Sequence, residues 1–423
     1  MKLAKNPIMA AAKRLKYARL RSERLRKDPR HGWISKLDGW AYLSNACRAI
    51  GLRTPTIYRV NPQQRLALVR RPRILHIIPN VWVGGSTQLI VDLHDHLGHR
   101  FEMKIITSAL PVRGRHQGMD ISVVRRSTPQ AEVRRLFTSF RPDIVHIHYW
   151  GDVDESWYGA FFHTAAELRI PILQNINTPV APFAAVPTGK NVFVSRTILD
   201  HFGSAAPAQV IHPGIDLTLF SPPNISDPDS YDAIGMVYRL ERDKLDKSSI
   251  EPFISVVKKR PQTRAIIIGD GSLFAHFRAR VEEERLLNRF EFMGYIPYAE
   301  LPFHYARFKV FVAPVWQESF GQVVPFAMSM GLAVAGNRIG ALPEILGDTR
   351  TLGATPEELA SHILHLLENR DTIDAAGARN RSIACSNFSV KQMAVAYLEL
   401  YKSIIPEAVE LMPDYPPAIY FPV

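Results

Sequence analysis

Cysteine is nearly missing from this chain, which has two, Cys47 and Cys385, in 423 residues. Neither sits in a C-x-x-C pair or a cysteine–histidine cluster, so a disulfide framework is excluded and two free thiols in a reducing compartment are expected. Long apolar runs are also missing. No stretch approaches the roughly 18–20 residues that cross a bilayer. The opening MKLAKNPIMAAAKRLKYARLRSERLRK holds no sustained apolar segment, so it does not read as a secretory signal and a cytoplasmic location is expected. No internal repeat, heptad pattern or collagen-like period is present. Acidic residues are scarce at one end only. Residues 1–71 carry 18 Lys+Arg against 3 Asp+Glu, whereas the remainder carries 34 against 37. The overall charge of +12 therefore belongs to an N-terminal extension rather than to the body. Such a segment prefers a polyanion, whether anionic lipid, nucleic acid or an acidic protein.

What is present is ample apolar material. With 46% hydrophobic and 22% charged residues, the composition suits a globular protein with two cores. Residues 8–27 lack Gly and Pro and predict a basic helix, stopped by Asp28-Pro29. Its apolar stripe is narrow, so charge would dominate any contact with the inner face of an anionic membrane. Residues 33–60 carry Trp33, Trp40, Tyr42, Leu43 and Ile50 and predict a small helical piece.

The body begins near Arg73. Ile74–Ile78 is a short apolar run ended by Pro79. Gly84-Gly85-Ser86 follows, and then Leu89, Ile90, Leu93 and Leu97 stand at helical spacing. Strand, glycine turn and helix open a βα unit. The alternation continues through strands at 103–108, 144–148, 169–174 and 192–195. A polar, proline-rich seam, Ser221–Asp229, precedes a second series with strands at 231–239, 264–269, 290–294 and 310–314. The expected fold class is α/β, with two doubly wound, Rossmann-like domains facing a cleft over the carboxyl ends of their strands. The expected boundaries are an extension at 1–72, domains at 73–222 and 223–405, and a tail at 406–423.

Four features carry chemistry. The strand VFVAP at 310–314 delivers Trp316, Gln317, Glu318 and Ser319 into a loop, followed by Phe320-Gly321 and a helix from Gln322. A glycine turn feeding a helix N-terminus suits a phosphate, and a carboxylate at its mouth suits sugar hydroxyls. An ordinary βα turn has the same appearance. Gly340, Pro343 and Glu344 mark a second sharp loop. At the end of the 231–239 strand, Arg239 and Lys244 stand five apart across a loop, where a guanidinium fork and an ammonium point charge suit a diphosphate. Solvated charges beside a linker would read the same way. His146-x-His148 ends the third strand of the body. Strand alternation is expected to set the two rings on opposite faces, one in the core and one toward the cleft, with no shared metal. Gly84-Gly85 could approach an anion. The one D-x-D, Asp152-Val153-Asp154, lies in a loop.

Taken in order, GGS (84–86), RPDIVHIH (141–148), VFVS (192–195), VIHPGIDLTLF (210–220), IGMVYRLERDK (234–244), IIGDG (267–271), EFMGYI (291–296), APVWQESFG (313–321) and AMSMGLAVAGNRIGALPEIL (327–346) resemble glycosyltransferase family 4. The resemblance covers about residues 73–400. It implies the GT-B fold and transfer of a sugar from a nucleotide-diphosphate donor with retention, without metal or other cofactor. It implies that Arg239 and Lys244 bind the donor diphosphate and that Gly84 and Gly85 face it. It implies that Glu318 contacts the transferred sugar, that Ser319, Phe320 and Gly321 form the adjoining loop, and that His148 lies near the reacting carbon.

This chain also departs from the family. The second carboxylate of the family's E-x₇-E motif, which accepts from the donor ribose, is Phe326 here, and phenylalanine accepts no hydrogen bond. Gln322, one turn earlier, is a candidate replacement. Tyr238 and Leu245 stand where glycine is usual, and Thr87 where an acid is frequent. The expected partners are a nucleotide-sugar donor, a glycan, glycolipid or other acceptor read by loops near 110–120, 150–158 and 176–185, and an anionic membrane surface through residues 1–30. No specific nucleic acid is expected, because no RNA-binding motif is present and the basic run lacks interleaved stacking aromatics. The alternative reading is a non-catalytic GT-B binding or scaffolding protein with an impaired donor site.

Overall fold

The computed structural model describes residues 70–406, apart from 83, 112–115, 117, 152–153 and 223–231. The expected basic helix, the 33–60 piece, the tail beyond 406 and Asp152 lie outside the described residues.

The first sheet holds β1 (Arg73–Ile77), β2 (Glu102–Thr107), β3 (Ile121–Val123), β4 (Ile144–Tyr149), β5 (Ile172–Ile176), β6 (Lys190–Phe193) and β7 (Ala208–Val210). Its order is β3-β2-β1-β4-β5-β6-β7, with every pair parallel. Helices α1 (Gly85–Leu97), α2 (Gln130–Phe140), α3 (Glu155–Glu167) and α4 (Arg196–Phe202) make the crossovers. Strands covered on both faces read as unbroken apolar runs, and β4 and β5 are buried throughout. One face packs Phe137, Phe161 and Phe162 of α2 and α3, and the other packs Leu89 and Leu93 of α1.

The second sheet holds β8 (Ala233–Val237), β9 (Arg264–Ile268), β10 (Phe290–Gly294), β11 (Val310–Ala313), β12 (Ala333–Asn337) and β13 (Leu352–Gly353). Its order is β10-β9-β8-β11-β12-β13, again all parallel. Around it lie α5 (Glu251–Lys259), α6 (Phe274–Glu283), α7 (Leu301–Tyr305), α8 (Val323–Ser329), α9 (Leu342–Leu346), α10 (Pro356–Glu368) and α11 (Arg370–Asn387).

The chain crosses between the domains twice. After β7 it passes through Gly214 and Ile215 toward β8. After α11 it returns at Ser389 to begin α12 (Val390–Ile404). The two crossings pair where they meet: Ile215 donates to the Phe388 carbonyl at 2.7 Å and Val390 to the Ile215 carbonyl at 2.9 Å. The expected boundaries place residues 390–404 in the second domain. In the structure Met393, Tyr397, Leu400 and Tyr401 of α12 pack with Ile74, Leu89 and Leu93 of the first. Each sheet reverses its order once, between β1 and β4 and between β8 and β11. Ligands of open α/β sheets bind beyond the carboxyl ends of strands at such points, because the connections there diverge to opposite faces and leave a crevice.

Candidate active site

The crevice of the second domain is built by the loops that follow β8 and β11. They are tied together by backbone: Trp316 donates its N–H to the Lys244 carbonyl at 3.0 Å and its indole N–H to the Arg242 carbonyl at 3.1 Å. The result is a close charge pair. Lys244 Nζ lies 2.5 Å from Glu318 Oε1, with the Glu318 side chain wholly buried and the Lys244 side chain about one-third exposed. Glu318 Oε1 also accepts from the Ser319 N–H at 3.1 Å, while Oε2 has no hydrogen-bond partner. Two glycines make room. Gly321 has φ +74, and a β-carbon there would meet the Glu318 carboxylate at 2.8 Å; Gly340 has φ +53, and a β-carbon there would clash with the Glu318 carbonyl at 1.9 Å. Any other residue at either position would be strained and would push Glu318 aside.

Arg239 is held apart from this pair. It is exposed and bonds Asp243 at 2.6 Å, so the two bases expected to act together are taken by different acids. Gly85, the first residue of α1, faces the second domain: a β-carbon on it would stand 3.5 Å from Gln322 Oε1, and the space around Gly84 is open. The first-domain glycine turn and the loop after β11 thus meet across the cleft.

Gln322 ties the loop to the domain crossing, its amide N donating to the Gly214 carbonyl at 2.7 Å, while its Oε1 lies on the side of Gly85. Two expectations are corrected. Phe326 does not face open space. Its ring stacks on Phe220 at 4.1 Å and 10°, with Tyr298 edge-on at 5.7 Å. The histidines do not alternate. Residues two apart on a strand point to the same face, and the rings of His146 and His148 lie 4.2 Å apart under α12. His76, paired with His146 in the β1–β4 register, joins them, with its Nδ1 3.1 Å from His148 Nε2; His146 Nδ1 lies 2.9 Å from the Tyr401 hydroxyl.

All three rings are fully buried, and each offers a nitrogen within 4.8 Å of the others, so these histidines are the group among the described residues that could hold a metal ion. Burial holds all three neutral. It lowers His76 from its ordinary value of 6.5 to about 3 and puts the other two well below theirs. His148 therefore ends β4 near the cleft but shows no open surface. Asp154, the described member of the D-x-D, accepts from Arg126 Nε at 2.8 Å.

Other functional candidates were not singled out from the sequence. Tyr238, in place of the usual glycine, is buried, and its hydroxyl has no hydrogen-bond partner. Burial first, and then the nearby Glu318 carboxylate, raise it well above its ordinary range, so the phenol keeps its proton beside Glu318. His212 stacks on Phe320 at 5.3 Å and 20°. Ser195 donates to the Ser319 carbonyl at 2.6 Å. Ser195 and His212 lie inside motifs quoted above, but only the meeting of two domains makes them neighbours of the site.

Two all-parallel sheets of these orders, crossed twice and meeting at their carboxyl-end loops, define the GT-B class of protein. Comparison with known proteins agrees. Residues 232–369 match the family described as Glycosyl transferases group 1. Over 434 aligned residues the chain is 24% identical to the D-inositol 3-phosphate glycosyltransferase of Mycolicibacterium paratuberculosis, covering 86% of this chain and 95% of that protein. It is 33% identical over 114 residues to the O-antigen chain mannosyltransferase B of Escherichia coli, 26% of this chain and 29% of that protein. The match to the 2-deoxystreptamine glucosyltransferase of Streptomyces kanamyceticus covers 46% of that protein, so the chain spans less than half of either of these last two relatives. The structure of Anabaena HepE, solved with UDP and glucose, superposes with a TM-score of 0.67 at 18% identity over 78% of this chain and 99% of that one. The chain thus has the GT-B fold of its solved neighbours, and residues 232–369 of its second domain match the group 1 glycosyl transferases.

Proposed function

We propose that the protein is a retaining glycosyltransferase of the family 4 kind, which moves a sugar from a nucleotide-diphosphate donor to a glycan, glycolipid or other acceptor, in synthesis of a cell-surface glycan or glycolipid. The observation that carries this reading is the Lys244–Glu318 pair at the β8–β11 switch point, opposite the Gly84-Gly85 turn. HepE was solved with a UDP-sugar, and relatives are named as mannosyl- and glucosyltransferases, which supports a donor of that chemistry.

In this reading the bond between the anomeric carbon and the diphosphate oxygen breaks, and its electron pair leaves on the phosphate. The acceptor hydroxyl oxygen bonds the same face of that carbon, and its proton passes to the departing diphosphate. Charge grows on the phosphate as the bond lengthens. Lys244, with Arg239 swung from Asp243, stabilises it there, so the step calls on no metal. Glu318, released from full pairing with Lys244, binds sugar hydroxyls. Calorimetry with UDP and GDP tests the clamp. Lys244→Ala and Arg239→Ala should each weaken binding by about 1.5–3 kcal/mol, the worth of a charge-assisted contact. Unchanged diphosphate binding in both variants would show that the clamp is misplaced.

One observation favours a second reading, a non-catalytic GT-B binding protein. The position of the second motif carboxylate is an aromatic stack rather than a polar pocket. Donor binding without turnover would decide for it.

A further inference from the structure

Glu344 lies in the first turn of α9, and its carboxylate crosses to the first domain. Oε1 accepts from the Arg196 N–H at 2.8 Å, and Oε2 accepts from the Thr197 N–H and hydroxyl, both at 2.9 Å. These groups open α4, where backbone N–H donors have no partner within the helix. Hydrogen bonds to an ionised acceptor are the strong ones. The cap of that same helix is Ser195, whose hydroxyl accepts from the Ile198 N–H at 3.3 Å and donates to the Ser319 carbonyl at 2.6 Å. The preceding carbonyl, that of Glu318, accepts from the Ala341 N–H at 3.2 Å, and Ala341 caps the α9 that carries Glu344. The contacts therefore close a ring, from Glu318-Ser319 to Ser195, along the start of α4 to Glu344, and back through Ala341 to Glu318. His212, on the domain crossing, braces it from one side: its ring stacks on Phe320 and its Nε2 lies 3.6 Å from Glu344 Oε1.

Two links of this ring span the domain seam: one ends at Ser319, next to the buried carboxylate of the candidate site, and the other at Glu344, on the helix whose cap Ala341 bonds the Glu318 carbonyl. We propose that Glu344 is a positioning residue: it fastens the closed cleft, and through Ser195 at the Ser319 carbonyl and Ala341 at the Glu318 carbonyl it holds the Glu318-Ser319 segment, and so the Glu318 carboxylate, against Lys244. Opening the domains would release Ser319 from Ser195 and loosen Glu318. Closure and assembly of the site are one event. The claim about turnover rests on the transfer function proposed above, whereas the ring itself does not.

The test uses the full chain and two variants, Glu344→Ala and Glu344→Gln. Hydrogen–deuterium exchange is read on peptides covering 194–202 and 316–322. Release of UDP or GDP is measured from UDP-glucose and GDP-mannose, and calorimetry with UDP or GDP accompanies both. In Glu344→Ala, exchange should rise in both segments, by about fivefold or more at 316–322. Turnover should fall about tenfold or more while diphosphate Kd moves less than about threefold, because the loss concerns closure and not the Lys244 contact. Glu344→Gln, which keeps the size and an acceptor oxygen, should recover part of both effects. Faster exchange confined to 194–202, with 316–322 and turnover unchanged, would reduce Glu344 to a helix cap and overturn the proposal. If wild type turns over neither donor, the transfer reading has failed for those donors, and the exchange at 316–322 still decides the ring.

Discussion

At the scale of the residue, the candidate site depends on one buried carboxylate and what surrounds it. Glu318 is identifiable in the sequence because a strand, a glycine and a helix start flank it. Its pairing with Lys244 is not, since that contact joins loops 74 residues apart. Tyr238 reads as a mere departure from the family. In the structure it is a buried phenol set beside Glu318, and only the β8–β11 neighbourhood reveals that.

Phe326 shows the opposite case. Its place in the motif suggests a lesion facing the donor, whereas its ring is part of the core with Phe220 and Tyr298. Phe326→Glu should therefore cost stability, by about 3–5 kcal/mol for a lost buried phenylalanine with a charge put in its place, and should not tighten nucleotide binding. Urea denaturation and calorimetry with UDP and GDP check both. Severalfold tighter binding at unchanged stability would mean that the ring can swing away and that the position does reach the ribose.

At the scale of the element, periodicity predicts the long helices and the central strands to within a few residues. It misses β3, β7 and β13, which are two or three residues long, β12, which is five, and α11, which is eighteen. In α11 only Gly377, Asn380 and Ala384 are buried, so it carries no apolar stripe to read. The histidine trio runs against the expected opposite faces because a strand's period of two aligns residues two apart, and its third member, His76, comes from a strand some seventy residues away.

That trio has a consequence for pH. The folded rings resist protonation, His76 down to about pH 3, while in the unfolded chain they titrate near 6.5. The unfolded state thus binds more protons below 6.5. The stability they contribute is complete above that value and drains as pH falls toward 3, by about 1.4 kcal/mol per pH unit for each ring. Urea denaturation between about pH 7 and pH 5 should show this slope, and His76→Leu should flatten it by about one ring's share. Equal slopes in the two proteins would contradict the assignment of a neutral, buried His76.

At the scale of the whole molecule, the order of motifs foretells two α/β domains, but not that α12 returns to complete the first. That crossing needs no special sequence, only an apolar helix face at the right chain length. No helix among the described residues is long and apolar enough to cross a membrane. We propose that the basic segment 1–30, which carries eleven bases against two acids, is what would meet an anionic membrane. Attraction of about 1 kcal/mol per base near an anionic leaflet is the physical ground for that proposal. Deleting it should release the protein from phosphatidylserine vesicles in co-sedimentation while leaving UDP and GDP binding unchanged. Equal sedimentation with and without it would move the contact elsewhere or abolish it.

The central claim is that Glu318 and Lys244 form a metal-independent sugar-transfer site. Release of nucleoside diphosphate from a panel of UDP- and GDP-sugars, with water as the surrogate acceptor and excess EDTA present, tests it most directly. Wild type should release diphosphate from at least one donor at the same rate with and without EDTA, and a folded Glu318→Ala protein should release none above background. Equal release by Glu318→Ala, or wild-type release that EDTA abolishes and manganese restores, would contradict the account and turn attention to the three buried histidines.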